Sequence, residues 1–189
     1  LSATDLRQLL RAVDERRYRP RPPFIRHRPK PGGGRRRLAV PCPLDRVLQR
    51  AVLDRVGPDL DAQLGAHVHG YRRGFSVATA LGDLCGQVAN ARHLEVVQID
   101  LRTLFDSLDH DLLSRAAMKA VPDPAFGWLV SRWESAYGEQ GRGIGQGGPI
   151  SPALANLYLA EYFDPEVASA ADGWIRYADD IAAFTVRPG

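Results

Sequence analysis

Two short apolar runs, Trp174–Tyr177 and Ile181–Val186, are separated only by Ala178-Asp179-Asp180. A connection that short joins neighbouring antiparallel strands, because a parallel pair needs a long crossover. The chain is thereby committed to an antiparallel hairpin with two carboxylates at its tip. A third carboxylate, Asp100, closes the apolar and partly β-branched run Leu94–Leu101, which reads as a buried strand. Strand ends and hairpin tips of one sheet can lie side by side, which would gather Asp100, Asp179 and Asp180 within a few ångströms. Like charges that close raise each other's pKa unless a cation sits between them. Alone, an Asp-Asp turn has a plainer reading, since aspartate favours turns through local hydrogen bonds.

The surrounding pattern alternates helices with strands. Leu6, Leu9, Leu10 and Val13 share one face of a helix over 4–17, capped by Ser2 or Thr4 and ended by Pro20, Pro22 and Pro23. Phe24–Arg28 and Arg35–Val40 read as a hairpin around the Pro29–Gly34 turn. Further helices are expected at 43–56, from Ser76 to Asn90, at 110–120, at 124–138, and from a Ser151 cap to Phe163. Residues 65–75 and 141–149 read as glycine-rich loops. Helices mixed with an antiparallel hairpin give an α+β class.

Charge is unevenly spread. Residues 1–60 hold 15 Lys and Arg against 6 Asp and Glu, whereas 61–189 hold 10 against 16. Ten basic residues and no acidic one lie between Arg16 and Arg37. A basic front half suits a polyanion, nucleic acid first, unless it is simply a solvated arm. The acidic rear half suits metal binding. Cys42 and Cys85 make neither a disulfide framework nor a zinc spacing, and read as buried thiols in a cytoplasmic protein. His67 and His69 form a pair without further ligands and read as loop residues. No apolar run is long enough to span a membrane. The chain opens on Leu1, with Met118 its sole methionine, which reads as an excised or processed piece.

Sequence context gives the carboxylates more meaning. Ile99-Asp100-Leu101-Arg102-Thr103-Leu104-Phe105-Asp106-Ser107-Leu108-Asp109-His110 resembles the first catalytic motif of bacterial, group II intron-like reverse transcriptases. Gly145-Gln146-Gly147-Gly148-Pro149-Ile150-Ser151-Pro152, with Ala155-Asn156, resembles their nucleotide-binding motif, and Arg176–Asp180 their Tyr-x-Asp-Asp turn. Arg36–Pro41 with Asp45, Arg46 and Gln49 is similar to their fingers motif, and Gly70–Ser76 to the one after it. Five blocks stand in the family's order over nearly the whole chain.

The resemblance implies a right-hand polymerase. Residues 1–93 would be fingers, with a basic hairpin. Residues 94–189 would be palm, with an antiparallel sheet carrying the Tyr-Ala-Asp-Asp hairpin, and the thumb would be absent. The implied activity is RNA-directed DNA polymerisation by two-metal nucleotidyl transfer from dNTPs to a primer 3′-hydroxyl. Asp100 and Asp179, assisted by Asp180 and the Leu101 carbonyl, would hold two Mg²⁺ ions, with Mn²⁺ as the alternative. Lys30 and Arg36 would bind the triphosphate, while Gln146 and Gly147 would lie against the nucleotide. Phe105 would pack under the sugar and exclude a 2′-hydroxyl; its plainer reading is a core phenylalanine. Arg35, Arg37, Arg72 and Arg73 would contact nucleic acid. Leu104 and Arg37 depart from a phenylalanine and a proline common in the family. The implied partners are an RNA template, a DNA or RNA primer and dNTPs, with a downstream domain or partner chain supplying the thumb. The alternative is a maturase-like RNA-binding module of an intron or defence-system protein, with little catalysis by this fragment. Three retained aspartates speak against that, since a pure binder has no use for clustered acids. Phe105 speaks against an RNA-directed RNA polymerase.

Overall fold

The computed structural model describes residues 2–29, 33–89 and 93–187. Its elements, in chain order, are α1 (Ala3–Asp14), β1 (Phe24–Pro29), β2 (Arg35–Val40), α2 (Pro43–Asp61), α3 (Val77–Val88), β3 (His93–Asp100), α4 (Leu104–Ser107), α5 (His110–Ala120), α6 (Pro124–Tyr137), α7 (Ser151–Tyr162), α8 (Asp164–Ala170), β4 (Gly173–Tyr177) and β5 (Asp180–Arg187). The α+β class holds, with two separate antiparallel sheets. β1 and β2 form a two-stranded hairpin, and the other sheet runs β3-β5-β4.

The larger core lies among the helices. Leu48, Val56 and Leu60 of α2, Leu113 and Ala117 of α5, Leu129, Val130 and Trp133 of α6, and Leu154 and Leu157 of α7 bury their side chains together. Asp109 and Asp123 cap α5 and α6 by accepting backbone N–H groups, as short acids at helix starts do. A second cluster of Val68, Val167, Trp174 and Ile181 backs the three-stranded sheet. Among the described residues, no helix is long and apolar enough to cross a membrane.

Four expectations need correcting. Helix α2 runs five residues beyond position 56, straight through Pro58. Pro58 lies on the exposed face, so the bond it forfeits faces water, while Val56 and Leu60 keep the buried stripe going. Ser151 does not cap α7; it is the first helical residue, and its hydroxyl donates to the Ile144 carbonyl at 3.3 Å. The strand ending at Asp100 is not buried. As an edge strand it leaves Val96 and Val97 55% and 61% exposed. Finally, Cys85 is exposed and Cys42 half-buried, its thiol donating to Asp45 at 3.2 Å. Helices α4 and α8 have no counterpart in the pattern reading, being only one or two turns long.

Candidate active site

Strand register brings the acids together. Asp100 pairs directly with Asp180 across β3 and β5, the last rung of that ladder. Beyond it, the Leu101 N–H donates to the Asp179 carbonyl at 3.3 Å, closing the sheet end around the turn. Directly opposed residues on antiparallel strands carry their side chains on one face, about 5 Å apart. The electrostatics agree. Local desolvation, then the charges of Asp179 and Asp100, raises the Asp180 carboxyl above its ordinary value.

The turn that presents these acids is strained and braced. Ala178, in the turn itself, sits at φ +60°, a left-handed conformation that costs a side-chain-bearing residue about 1–3 kcal/mol, and Thr103 and Tyr71, in neighbouring loops, are left-handed too at φ +56° and +58°. Arg176, fully buried, fixes the hairpin from beneath. Its guanidinium forms a two-pronged ion pair with Asp164 at 2.8 and 2.7 Å, and donates to Asn156 Oδ1 at 2.7 Å and the Ala178 carbonyl at 3.3 Å. Asn156 in turn donates to the Gly70 carbonyl at 2.7 Å. Gly70 packs so closely on Ala178 that a Cβ there would collide with its backbone nitrogen. Residues 67–69 add a parallel bridge to β4, with the His69 N–H on the Arg176 carbonyl and the Arg176 N–H on the His67 carbonyl, both at 2.8 Å. Arg176, Asn156, Asp164 and Gly70 are thus site residues that the sequence reading quoted in passing or missed. A charged residue inside an apolar strand was the available signal.

The acids face a basic wall. Arg35, Arg36 and Arg37 of β2, Asp100, Asp179, Phe105 and Gln146 line one cavity of about 300 Å³. β2 is tied to the glycine-rich loop, since the Ala39 N–H donates to the Gln146 carbonyl at 2.8 Å. A Cβ on Gly147, at φ +135°, would press on the Ala39 carbonyl at 3.3 Å, so glycine is what allows that approach. Phe105 packs in the helical core and also lines the cavity. Phe105, Gln146 and Gly147 also border a larger cavity of about 810 Å³, whose other walls include Arg46, Arg50 and Tyr71. Burial, then the charge of Asp179, raises the Tyr71 phenol, while Arg36 opposes them, so the tyrosine stands between acid and base.

Other expected residues lie elsewhere. Lys30 is outside the described residues. Arg72 is turned inward and corrects the nucleic-acid reading: it pairs with Asp61 at 2.7 and 3.2 Å, donates to the Gly65 and Val68 carbonyls at 2.8 Å each, and stacks on Phe75. Its donors are spent on the loop that carries Gly70. Arg73 is exposed. Arg37 reaches Glu139 at 3.3 Å, an exposed pair worth about 0–1 kcal/mol that leaves the arginine available. His67 and His69 share Asp83 Oδ2 at 2.8 and 3.0 Å, a structural cluster supporting the same loop.

Among the described residues, no three His, Cys, Asp or Glu side chains are close enough together to enclose a metal ion by themselves. Two carboxylates beside open space and cations are nevertheless what Mg²⁺ uses when substrate phosphates and water complete its shell. The arrangement can hold a polyphosphate between arginines and, through a cation, the acids, against the buried Phe105 ring.

The sequence pattern of the family described as "Reverse transcriptase (RNA-dependent DNA polymerase)" matches residues 28–188. The chain is 30% identical over 158 residues to Protein YkfC of Escherichia coli strain K12, covering 77% of this chain and 41% of that protein. It is 26% identical over 168 residues to the group II intron-encoded protein LtrA of Lactococcus lactis subsp. cremoris, covering 85% and 28%. The chain therefore spans less than half the length of either relative. Its fold is similar to a chain of a solved partial Cas6-RT-Cas1–Cas2 complex, with TM-score 0.57 and 22% identity over 96% of this chain and 32% of that one.

Proposed function

Because the chain belongs to the reverse transcriptase (RNA-dependent DNA polymerase) family, we propose that it is the fingers and palm of an RNA-directed DNA polymerase, with fingers over 1–93 and palm over 94–189. The observation that carries this is one cavity walled by Arg35–Arg37 on one side and by Asp100 and Asp179 on the other. Residues more than 60 positions apart meet there.

Asp100 and Asp179 would hold Mg²⁺, with Asp180 and the Leu101 carbonyl supporting them; Mn²⁺ is the alternative. When bound, two such ions stabilise the attacking and leaving oxygens of phosphoryl transfer. The protein's own groups do the rest. Arg36 grips the triphosphate, because guanidinium meets phosphate through paired hydrogen bonds, and Lys30 is a second candidate for that role. Gln146 and Gly147 bring backbone against base and sugar. Phe105, held in place by core packing, fills the space a 2′-hydroxyl would need and so favours dNTPs. Arg35, Arg37 and Arg73 hold the RNA template and the DNA or RNA primer. A further domain or a partner chain completes the primer grip.

The test is primer extension on an RNA template with dNTPs and Mg²⁺, comparing the protein with Asp179→Asn. Synthesis by the first alone supports the reading. RNA bound without synthesis by either turns it towards a maturase-like binding role.

A further inference from the structure

Gln49 is a buried polar side chain beside the glycine-rich loop, and the preceding turn of α2 shows how unusual its state is. Asp45, 2% exposed, accepts from the Tyr18 hydroxyl at 2.8 Å, the Arg21 N–H at 3.0 Å, the Cys42 thiol at 3.2 Å and the Tyr137 hydroxyl at 3.4 Å. Gln49, four residues on and 1% exposed, has no hydrogen-bond partner for either Oε1 or Nε2 among the described residues. A buried amide left unpaired is destabilising. An apolar side chain of that size would serve packing better, so packing does not explain the glutamine.

The amide abuts a specific place. A Cβ on Gly148 would lie 2.6 Å from Gln49 Oε1 and 3.0 Å from Ser151 Oγ. The Ser151 hydroxyl donates to the Ile144 carbonyl, and its oxygen makes no hydrogen bond with either Gln49 amide atom. Gly147 and Gly148 border the larger cavity together with Gln146, and Gly147 holds a conformation open only to glycine. A carboxamide offers a donor and an acceptor at once, which matches the N–H and carbonyl of a reoriented peptide unit.

We infer that Gln49 is a positioning residue, which hydrogen-bonds the Gly147–Gly148 backbone when nucleotide and template fill the cleft and thereby holds Gln146 against them. The inference rests on the polymerase reading above. It explains why the amide is unpaired in the free protein: its partner is a loop conformation that substrate selects.

Gln49→Met tests this, since methionine matches the length and volume of glutamine without its hydrogen bonds. Two readouts are needed. In the free protein the variant should melt at or above the wild-type Tm, because no bond is lost. In single-nucleotide incorporation its KM for dNTP should rise roughly tenfold with kcat within about twofold, and Gln49→Asn should recover part of the loss. A Tm several degrees below wild type would mean that the amide is already bonded in the free protein, and would overturn the inference. So would an unchanged KM at an unchanged Tm. Failure of the wild type to incorporate any nucleotide would count against the polymerase reading instead, and the melting comparison would still decide whether the amide is free.

Discussion

Glu134 shows what burial does to a single ionisable group here. Desolvation raises its carboxyl from 4.5 to about 7, despite a hydrogen bond donated by Ser114 at 3.0 Å. Below pH 4.5 the folded and unfolded states are both protonated, and the residue contributes no pH dependence. Between 4.5 and 7 the unfolded chain gives up the proton and the folded chain keeps it, so stability falls as pH rises. The loss is about 3 kcal/mol, complete above the folded pKa. Denaturant titrations at pH 5 and pH 8 should show that decrease, and Glu134→Gln should remove most of it; equal slopes for both proteins would refute the account. At the proposed sugar position, Phe105→Ala should admit ribonucleotides in a dNTP/NTP competition assay, whereas unaltered preference would leave Phe105 a core residue only. That Asp100, Asp179, Phe105 and Arg36 line one cavity was legible in part: paired carboxylates suit ion-assisted phosphoryl transfer, whereas Phe105 and Arg36 were singled out only by their place in the family-like motifs. The inward turn of Arg72 was not, because positive charge does not say whether an arginine meets phosphate or a neighbouring aspartate.

At the level of elements, the hairpin β4–β5 was readable from its two apolar runs and the three residues between them. The exposure of β3 was not, since a β-branched apolar run looks the same at a sheet's edge as at its centre. Helix α2 crossed Pro58 because burial of Val56 and Leu60 outweighed one solvent-facing hydrogen bond. Arg176 makes the hairpin's rigidity depend on α7 and α8. Asp164→Ala would leave that guanidinium buried without its carboxylate, at a cost of about 3–5 kcal/mol. Thermal denaturation should register that loss, with nucleotide incorporation falling beyond what partial unfolding explains. A variant as stable and active as wild type would show that the hairpin does not need this brace.

Across the whole molecule, the basic front and acidic rear seen in the sequence converge at one cavity. Charge counting suggested both partners, nucleic acid and metal, but only the folded chain, with β2 tied to the Gln146 loop, brings the arginines to the acids. If the basic residues from Arg16 to Arg37 carry RNA binding, log K should fall against log salt with a slope of about −3 or steeper, roughly −0.7 for each of four or more neutralised phosphates. A flat plot would assign those arginines to the surface alone. The central claim is that Asp100 and Asp179 act as one unit on a nucleotide held by the arginine hairpin. Its most direct test is the rate of single-dNTP incorporation opposite a defined RNA base for Asp100→Asn, Asp179→Asn and the double variant, each checked for native Tm. The account predicts that either substitution alone abolishes Mg²⁺-dependent incorporation and that the double variant is no worse than the singles. Incorporation that survives either single substitution near the wild-type rate would contradict it.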